Sequence, residues 1–297
     1  VTPGVFLLWS AVRQHWGAME AMIAERFEID RRIDLAFASH ETFWSFNCDV
    51  YMLKSIAMHP DARERSYINP NRDRLRLLEP HGFRLRAIIA RPRNGALGQA
   101  CDAMKVALRE AYPARVVGTK MYLNVHAADG EAEAAYLLDL LQPVSLAHVH
   151  RRPFPLRPAY YDRLHRLRAW CAENGIDRRQ ACVISGGVFE ACGLRESNDI
   201  DIILDSAARR KFGAAGIKDI VPGIDLAAAG YHRTVRPVAL TDDQIIGDPR
   251  YHFTMLGVRF AALPLVAETK LNGGRSKDRS DVALLNGSHA SFLMVPL

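Results

Sequence analysis

Residues 185–204 read Ser-Gly-Gly-Val-Phe-Glu-Ala-Cys-Gly-Leu-Arg-Glu-Ser-Asn-Asp-Ile-Asp-Ile-Ile-Leu, a glycine pair followed by two aspartates in an apolar run. On a strand alternate residues share a face, so Asp199 and Asp201 project together while Ile200 and Ile202 pack behind them. Two adjacent carboxylates repel each other, and a divalent cation relieves the repulsion. Hard carboxylate oxygens suit Mg²⁺, which keeps several waters and usually also binds substrate phosphates. A nucleoside triphosphate is the expected ligand. Gly186 and Gly187 fall between an expected strand (181–185) and an expected helix (188–192). Glycine there lets the backbone approach a phosphate, and the free N–H groups of a helix start favour an anion. Taken singly, Asp-Ile-Asp also suits a solvated strand face and Gly-Gly any tight turn. Their order, strand, Gly-Gly, helix, strand, favours the chemical reading.

The segment resembles the signature of the nucleotidyltransferase superfamily that includes DNA polymerase beta: an apolar residue, Gly, Gly or Ser, then, after a gap filled here by residues 188–198, Asp-apolar-Asp-apolar. Ser185 departs from it, since the family prefers an apolar residue before the first glycine. The resemblance covers the C-terminal end of the chain and implies a nucleotidyltransferase-like α+β domain with a mixed sheet. It also implies a third carboxylate on a later strand, for metal binding or as the base. Asp225, in Gly223-Ile224-Asp225-Leu226-Ala227, has the apolar flanks for it, whereas Asp242 and Asp243 look like a turn or helix cap. In residues 268–285 the resemblance places Lys270 near the triphosphate, with Arg275 and Lys277 offsetting charge on pyrophosphate. Asp278 and Asp281 then position those basic groups or cap the last helix. The plainer alternative is a charged surface loop between two helices.

The activity that the resemblance implies is Mg²⁺-dependent nucleotidyl transfer to a hydroxyl acceptor, with Asp199, Asp201 and Asp225 as catalytic residues, Asp199 and Asp201 as metal ligands, and Gly186, Gly187, Lys270, Arg275 and Lys277 on the nucleotide. Two alternatives stand beside it: a catalytically weak or inactive nucleotide-binding regulatory module, and a phosphotransferase acting on a sugar or alcohol. The N-terminal half resembles α/β domains of nucleotidyltransferase-like proteins from cell-surface polysaccharide loci, which implies a role in cell-surface glycan metabolism.

The elements that must position these residues are those of a two-domain α/β chain. Its 297 residues, 49% hydrophobic and 24% charged, are ordinary for a globular protein. Apolar strands alternate with amphipathic helices in the first half: strand 5–9, helix 11–27, strand 33–38, helix 40–58 and strand 85–90. The polar, arginine-bearing stretch 60–82 reads as a solvated loop. Asn124, His126 and Asp129 form a polar cluster before helix 131–141, for which helix capping by Asp129 is the simpler account. Pro143, Pro153, Pro155 and Pro158 with Arg151, Arg152 and Arg157 mark an extended linker. The expected domains are therefore 1–142, an α/β accessory or acceptor domain, then linker 143–158, then 159–297.

Five widely spaced cysteines without a C-x-x-C pair point to reduced thiols in the cytoplasm rather than structural zinc. The apolar start at 5–9 is too short for a signal peptide or membrane span, and the start at Val1 is what a processed or excised chain would show. Residues 1–150 carry 18 Lys/Arg against 17 Asp/Glu and residues 151–297 carry 21 against 16, so the net charge of +6 sits mainly in the expected catalytic half. A phosphate-handling site accounts for that excess. Nucleic acid is the less favoured partner, because no basic stripe interleaved with aromatics stands out.

Overall fold

A computed structural model describes residues 2–53, 76–114, 123–152, 156–234, 239–273 and 275–287. Helices combine with antiparallel and mixed sheets, and the chain divides into two compact units, Val1–Leu141 and Gln142–Leu297.

The first unit contains β1 (Gly4–Trp9), a 3-10 turn (Ser10–His15), α1 (Trp16–Arg26), β2 (Phe27–Ala36), α2 (His40–Val50), β3 (Arg84–Pro92), α3 (Leu97–Ala111), β4 (Val125–Ala127) and α4 (Glu131–Leu140). Its sheet has the order β2-β3-β1-β4 with every pairing antiparallel. All six residues of the central β1 are buried, as a strand covered on both faces requires. At the edge, β2 starts at Phe27, six residues before the strand expected from the sequence. Its Glu28-Ile29-Asp30-Arg31-Arg32 run hides the strand because an edge faces water, and charge there blunts pairing with another chain.

Before α4, the Asp129 carboxylate accepts from Lys105 Nζ at 2.7 Å, and the Asp129 N–H donates to Glu133 Oε2 at 2.7 Å. Residues 60–75 of the arginine-bearing stretch, 54–58 of the expected second helix, and Lys120 to Tyr122 lie outside the described residues.

The second unit opens with α5 (Pro143–Val149) and α6 (Pro158–Glu173). The expected extended linker is thus helical over its first half. Proline at the first position of a helix forfeits only a hydrogen bond that the helix start lacks anyway. There follow β5 (Ala181–Ile184), α7 (Gly186–Ala191), β6 (Ile200–Leu204), α8 (Ser206–Arg209), β7 (Ile217–Val221), β8 (Ile224–Leu226), α9 (Tyr231–Thr234), α10 (Asp242–Gly247), β9 (His252–Met255), β10 (Val258–Ala261), α11 (Leu263–Gly273) and α12 (Ser276–Gly287). The sheet order is β7-β8-β6-β5-β10-β9. It is mixed, with β6 parallel to β8 and β5 parallel to β10, the other neighbours being antiparallel.

No helix among the described residues is long and apolar enough to cross a membrane. All five cysteines are buried, and none is in a disulfide.

Candidate active site

Parallel pairing of β6 with β8 puts Asp201 and Asp225 in register as direct neighbours, so their side chains leave the same face of the sheet. Asp199 immediately precedes β6, two residues from Asp201 and on the same side. Behind them Ile200 and Ile202 are fully buried. The Ile200 N–H donates to the Gly223 carbonyl at 2.9 Å, tying the start of β6 to the turn that opens β8. Gly223 has φ 77°, a conformation that glycine adopts without a Cβ clash.

These carboxylates are crowded. Burial raises the Asp201 carboxyl from its usual 3.8 to about 6, with the charges of Asp199 and Asp225 adding to the rise and Lys218 and Lys270 opposing it. Asp225, itself buried, is engaged from β7: Lys218 Nζ contacts its Oδ2, and the Asp219 N–H donates to Oδ1 at 2.9 Å. Its contact with Asp225 holds the Lys218 ammonium above its ordinary value. Among the described residues, no three His, Cys, Asp or Glu side chains are gathered as a ready metal-binding group.

The glycine pair lies within the first turn of α7, where the sequence placed it before the helix. The bend from β5 falls on Ser185, at φ 55° and ψ −129°, a region disfavoured for residues with a side chain. The two glycines do different jobs. A Cβ on Gly187 would stand 2.7 Å from Val183 Cγ1 and 3.6 Å from Ile200 side-chain atoms, so Gly187 lets α7 sit close on β5 and β6. Close helix–sheet packing is therefore one reason for glycine at this position. Gly186 faces the polar side, where an added Cβ would meet Ser197 Oγ at 2.9 Å and the Arg195 guanidinium at 3.5 Å.

Lys270 and Arg275 belong to an ion-pair network at the junction of α11 and α12. Lys270 Nζ reaches Asp278 Oδ1 at 3.1 Å and Asp281 Oδ2 at 2.8 Å, and all three residues are buried. Arg195 clasps Asp281 with two hydrogen bonds of 2.6 and 3.0 Å, and Arg275 clasps Asp278 with two of 2.9 and 3.2 Å. Burial opposes ionisation of Asp281, yet the hydrogen bonds from Arg195 and Lys270 win and hold its carboxyl below the ordinary value. Phe189 of α7 lies under this network, with the Arg195 guanidinium 5.4 Å and the Lys270 ammonium 5.9 Å from its ring centre. Lys270 is near enough to act on Asp201, so it links the two clusters. Lys277 is exposed on the first turn of α12. Asp242 and Asp243 begin α10 behind the Thr241 cap and lie apart from the cluster around Asp201.

Four groups around the site, Glu190, Arg163, Arg195 and Lys218, carry no motif. Glu190, buried in α7, accepts from Arg157 Nε at 2.9 Å, Arg163 Nη2 at 2.8 Å and the Ser197 N–H at 2.9 Å. Arg163 also donates to the Ser197 carbonyl at 2.8 Å, fixing the segment that delivers Asp199. A glutamate inside the apolar run Val188-Phe189-Glu190-Ala191 was the available signal, since a buried carboxylate needs partners. Arg195, inside the gap of the motif, and Lys218, on an exposed strand, gave no comparable signal. A scan of known protein families found no match to the chain, and a search of curated proteins found none either.

Proposed function

We propose that the second unit, a nucleotidyltransferase-like domain with a mixed sheet, transfers a nucleotidyl group from a nucleoside triphosphate to a hydroxyl acceptor, and that the first unit serves acceptor selection. The observation that carries the reading is the register of Asp225 beside Asp201, which brings two carboxylates distant in sequence to one face of the sheet, with Asp199 just before β6. Burial, with the charges of Asp199 and Asp225 adding to it, lifts the Asp201 carboxyl to about 6, and a bound cation would favour its ionised form. Mg²⁺, held by Asp199 and Asp201 with Asp225 beside them, would supply positive charge to the triphosphate oxygens.

The protein's own groups divide the remaining work. The ammonium of Lys218 is 81% exposed at its side chain, so it can leave Asp225 at little cost and offset phosphate charge instead. Asp225 is then free to accept the proton of the acceptor hydroxyl. The hydroxyl oxygen forms a bond to the α-phosphorus as the bond to the β-phosphate bridging oxygen breaks, and pyrophosphate leaves with that electron pair. Lys270, from the end of α11, adds a fixed positive charge near Asp201, and Arg275, 60% exposed at its side chain, stands further out. Glycan metabolism at the cell surface is the setting we favour for the acceptor.

One observation favours a second reading. Both oxygens of Asp225 already have partners in Lys218 and the Asp219 N–H, as in a domain that binds nucleotide without turnover. Incubation with each of the four nucleoside triphosphates, Mg²⁺ and a mixture of sugar acceptors, with the α- or γ-phosphate labelled, separates the readings. Label retained from the α-phosphate supports nucleotidyl transfer, label from the γ-phosphate marks a phosphotransferase, and binding without product marks the module. In the first case Asp225→Ala should cut turnover at least a hundredfold while leaving triphosphate affinity within about threefold, because proton removal matters only in the transition state.

A further inference from the structure

At the edge of the second sheet, β7 and β8 do not pair residue for residue. Ile217 stands opposite Leu226 and Val221 opposite Ile224, so β7 runs through Lys218, Asp219 and Ile220 while β8 supplies Asp225 alone. Extra residues of this kind leave the ladder and bend the strand. In the middle of the irregularity Asp219 has φ 48°. Left-handed backbone is strained for a residue with a Cβ, and aspartate tolerates it where its short side chain bonds locally. Here Asp219 Oδ1 accepts from the Gly223 N–H at 3.0 Å, across the turn between the two strands.

In a regular antiparallel ladder the N–H groups that face the neighbouring strand meet its carbonyls. The Asp219 N–H goes instead to a side chain, Oδ1 of Asp225, at 2.9 Å. Three hydrogen bonds then run in series: the Ile200 N–H to the Gly223 carbonyl at 2.9 Å, the Gly223 N–H to Asp219, and the Asp219 N–H to Asp225. Ile200 lies between Asp199 and Asp201 in the chain. Asp219 therefore ties the main chain that carries the first two carboxylates to the side chain of the third. It also makes the two oxygens of Asp225 unlike. Oδ2 meets the exposed, long side chain of Lys218, which can swing away, whereas Oδ1 meets a main-chain donor, which cannot.

We propose that Asp219 is a positioning residue for the transfer reaction: it anchors Asp225 by Oδ1 and so presents Oδ2 to the acceptor hydroxyl, whose proton Oδ2 takes. The assignment rests on nucleotidyl transfer as the reaction of this site. A misplacement of about 1 Å can cost about a hundredfold in rate. Strained backbone persists where the surroundings hold it in place for such a task.

Asp219→Val in the full chain tests the assignment, because a β-branched residue resists positive φ and lacks the oxygen that holds Gly223. Turnover, measured with the labelled triphosphates and the mixture of sugar acceptors, should fall by about thirtyfold or more. Triphosphate affinity by calorimetry should stay within about threefold, since Asp219 acts only through the base. Asp219→Asn keeps an acceptor oxygen and tolerates left-handed backbone, so it should return turnover to within about threefold of the wild type. Wild-type turnover in Asp219→Val, or equal losses of affinity and turnover as a merely structural turn would give, overturns the proposal. Circular dichroism establishes folding, and Asp219→Ala replaces Asp219→Val if the latter does not fold. Hydrogen exchange at the Asp219 amide reads the anchor without turnover: it should be about tenfold or more slower in the wild type than in Asp225→Ala. Equal exchange in the two proteins overturns the anchor whatever the turnover. A wild type that forms no product while its Asp219 amide is protected would sink nucleotidyl transfer and the proton assignment, and leave the anchor standing.

Discussion

The carboxylates of β6 and β8 and the ion pairs of α11 and α12 both gather acidic groups, yet push them in opposite directions. Asp201 is lifted to about 6 by burial and by its acidic neighbours. Asp281 is held below its ordinary value, although burial alone would raise it, because Arg195 and Lys270 donate to it directly. Charge in the second cluster is matched: three cations, Arg195, Lys270 and Arg275, meet two carboxylates over short distances. In the first cluster three carboxylates share one face, with Lys218 in contact and Lys270 acting from further off. A matched cluster holds elements together. An unmatched one costs stability and persists where a ligand supplies the missing charge.

Breaking the matched cluster should have the largest effect. Lys270→Met takes the ammonium from buried Asp278 and Asp281, and removing one member of a buried pair costs about 3–5 kcal/mol. Because Arg195 and Arg275 remain, we expect a loss near the lower end, about 3 kcal/mol, read as a shift of the urea midpoint. A loss below about 1 kcal/mol would mean that the network does not lock α11 to α12.

Next in size is the packing that brings the two clusters together. Gly187→Ala puts a methyl group 2.7 Å from Val183 Cγ1, and overpacking of this kind costs about 1–3 kcal/mol. Helix propensity offsets up to about 1 kcal/mol of it, so a net loss of about 1–2 kcal/mol is expected in urea. A phosphate cradle at this residue would instead lower triphosphate affinity without altering stability.

The unmatched cluster should respond in the opposite sense. A carboxyl whose folded value lies above its unfolded value is favoured when protonated, so its contribution to stability is present at low pH and lost as pH rises from about 4 through 6. Asp201→Asn removes that loss. The variant should match the wild type near pH 3.5 and exceed it by about 2 kcal/mol at pH 8 in the absence of divalent cations. It should also lose Mg²⁺-dependent triphosphate binding by calorimetry. Equal stability of the two proteins at pH 8 would show that Asp201 carries no uncompensated charge.

How far these clusters were legible depends on their physics. The period-two spacing of Asp199 and Asp201, and the apolar flanks of Asp225, report strand faces, and β6 and β8 place Asp201 and Asp225 as neighbours. The pairing of β7 with β8, which brings Lys218 to Asp225, shifts register between Ile217 and Val221 with Asp219 at φ 48°, and this leaves little local trace. The packing constraint on Gly187 left no trace in the sequence, because a glycine near a turn looks alike whether it approaches a ligand or a strand. Residues 143–149 read as extended from proline content, although proline at a helix start is compatible with the helix that forms. Glu190, Arg163 and Arg195 meet their partners across 27 to 86 residues of chain, and charge pairing at that separation has no periodicity to read.

The smallest expected effect sharpens the comparison at its one point of compensation. Lys218 is exposed while Asp225 is buried, so the pair behaves electrostatically more like a surface bridge, worth about 0.2–1 kcal/mol. Lys218→Ala should therefore change overall stability by less than about 1 kcal/mol. Its informative consequence lies in titration: with the ammonium gone, Asp225 and Asp199 act on Asp201 with less opposition, and the midpoint of Asp201 should move above about 6. Carboxyl carbon chemical shifts followed against pH, with Asp201→Asn to assign the resonance, read this directly. Added Mg²⁺ should bring the midpoint back down in the variant, since a divalent cation held by Asp199 and Asp201 favours the ionised form of both. A midpoint indifferent to both the lysine and the cation would remove the distinction between the two clusters, leaving Asp201 raised by burial alone.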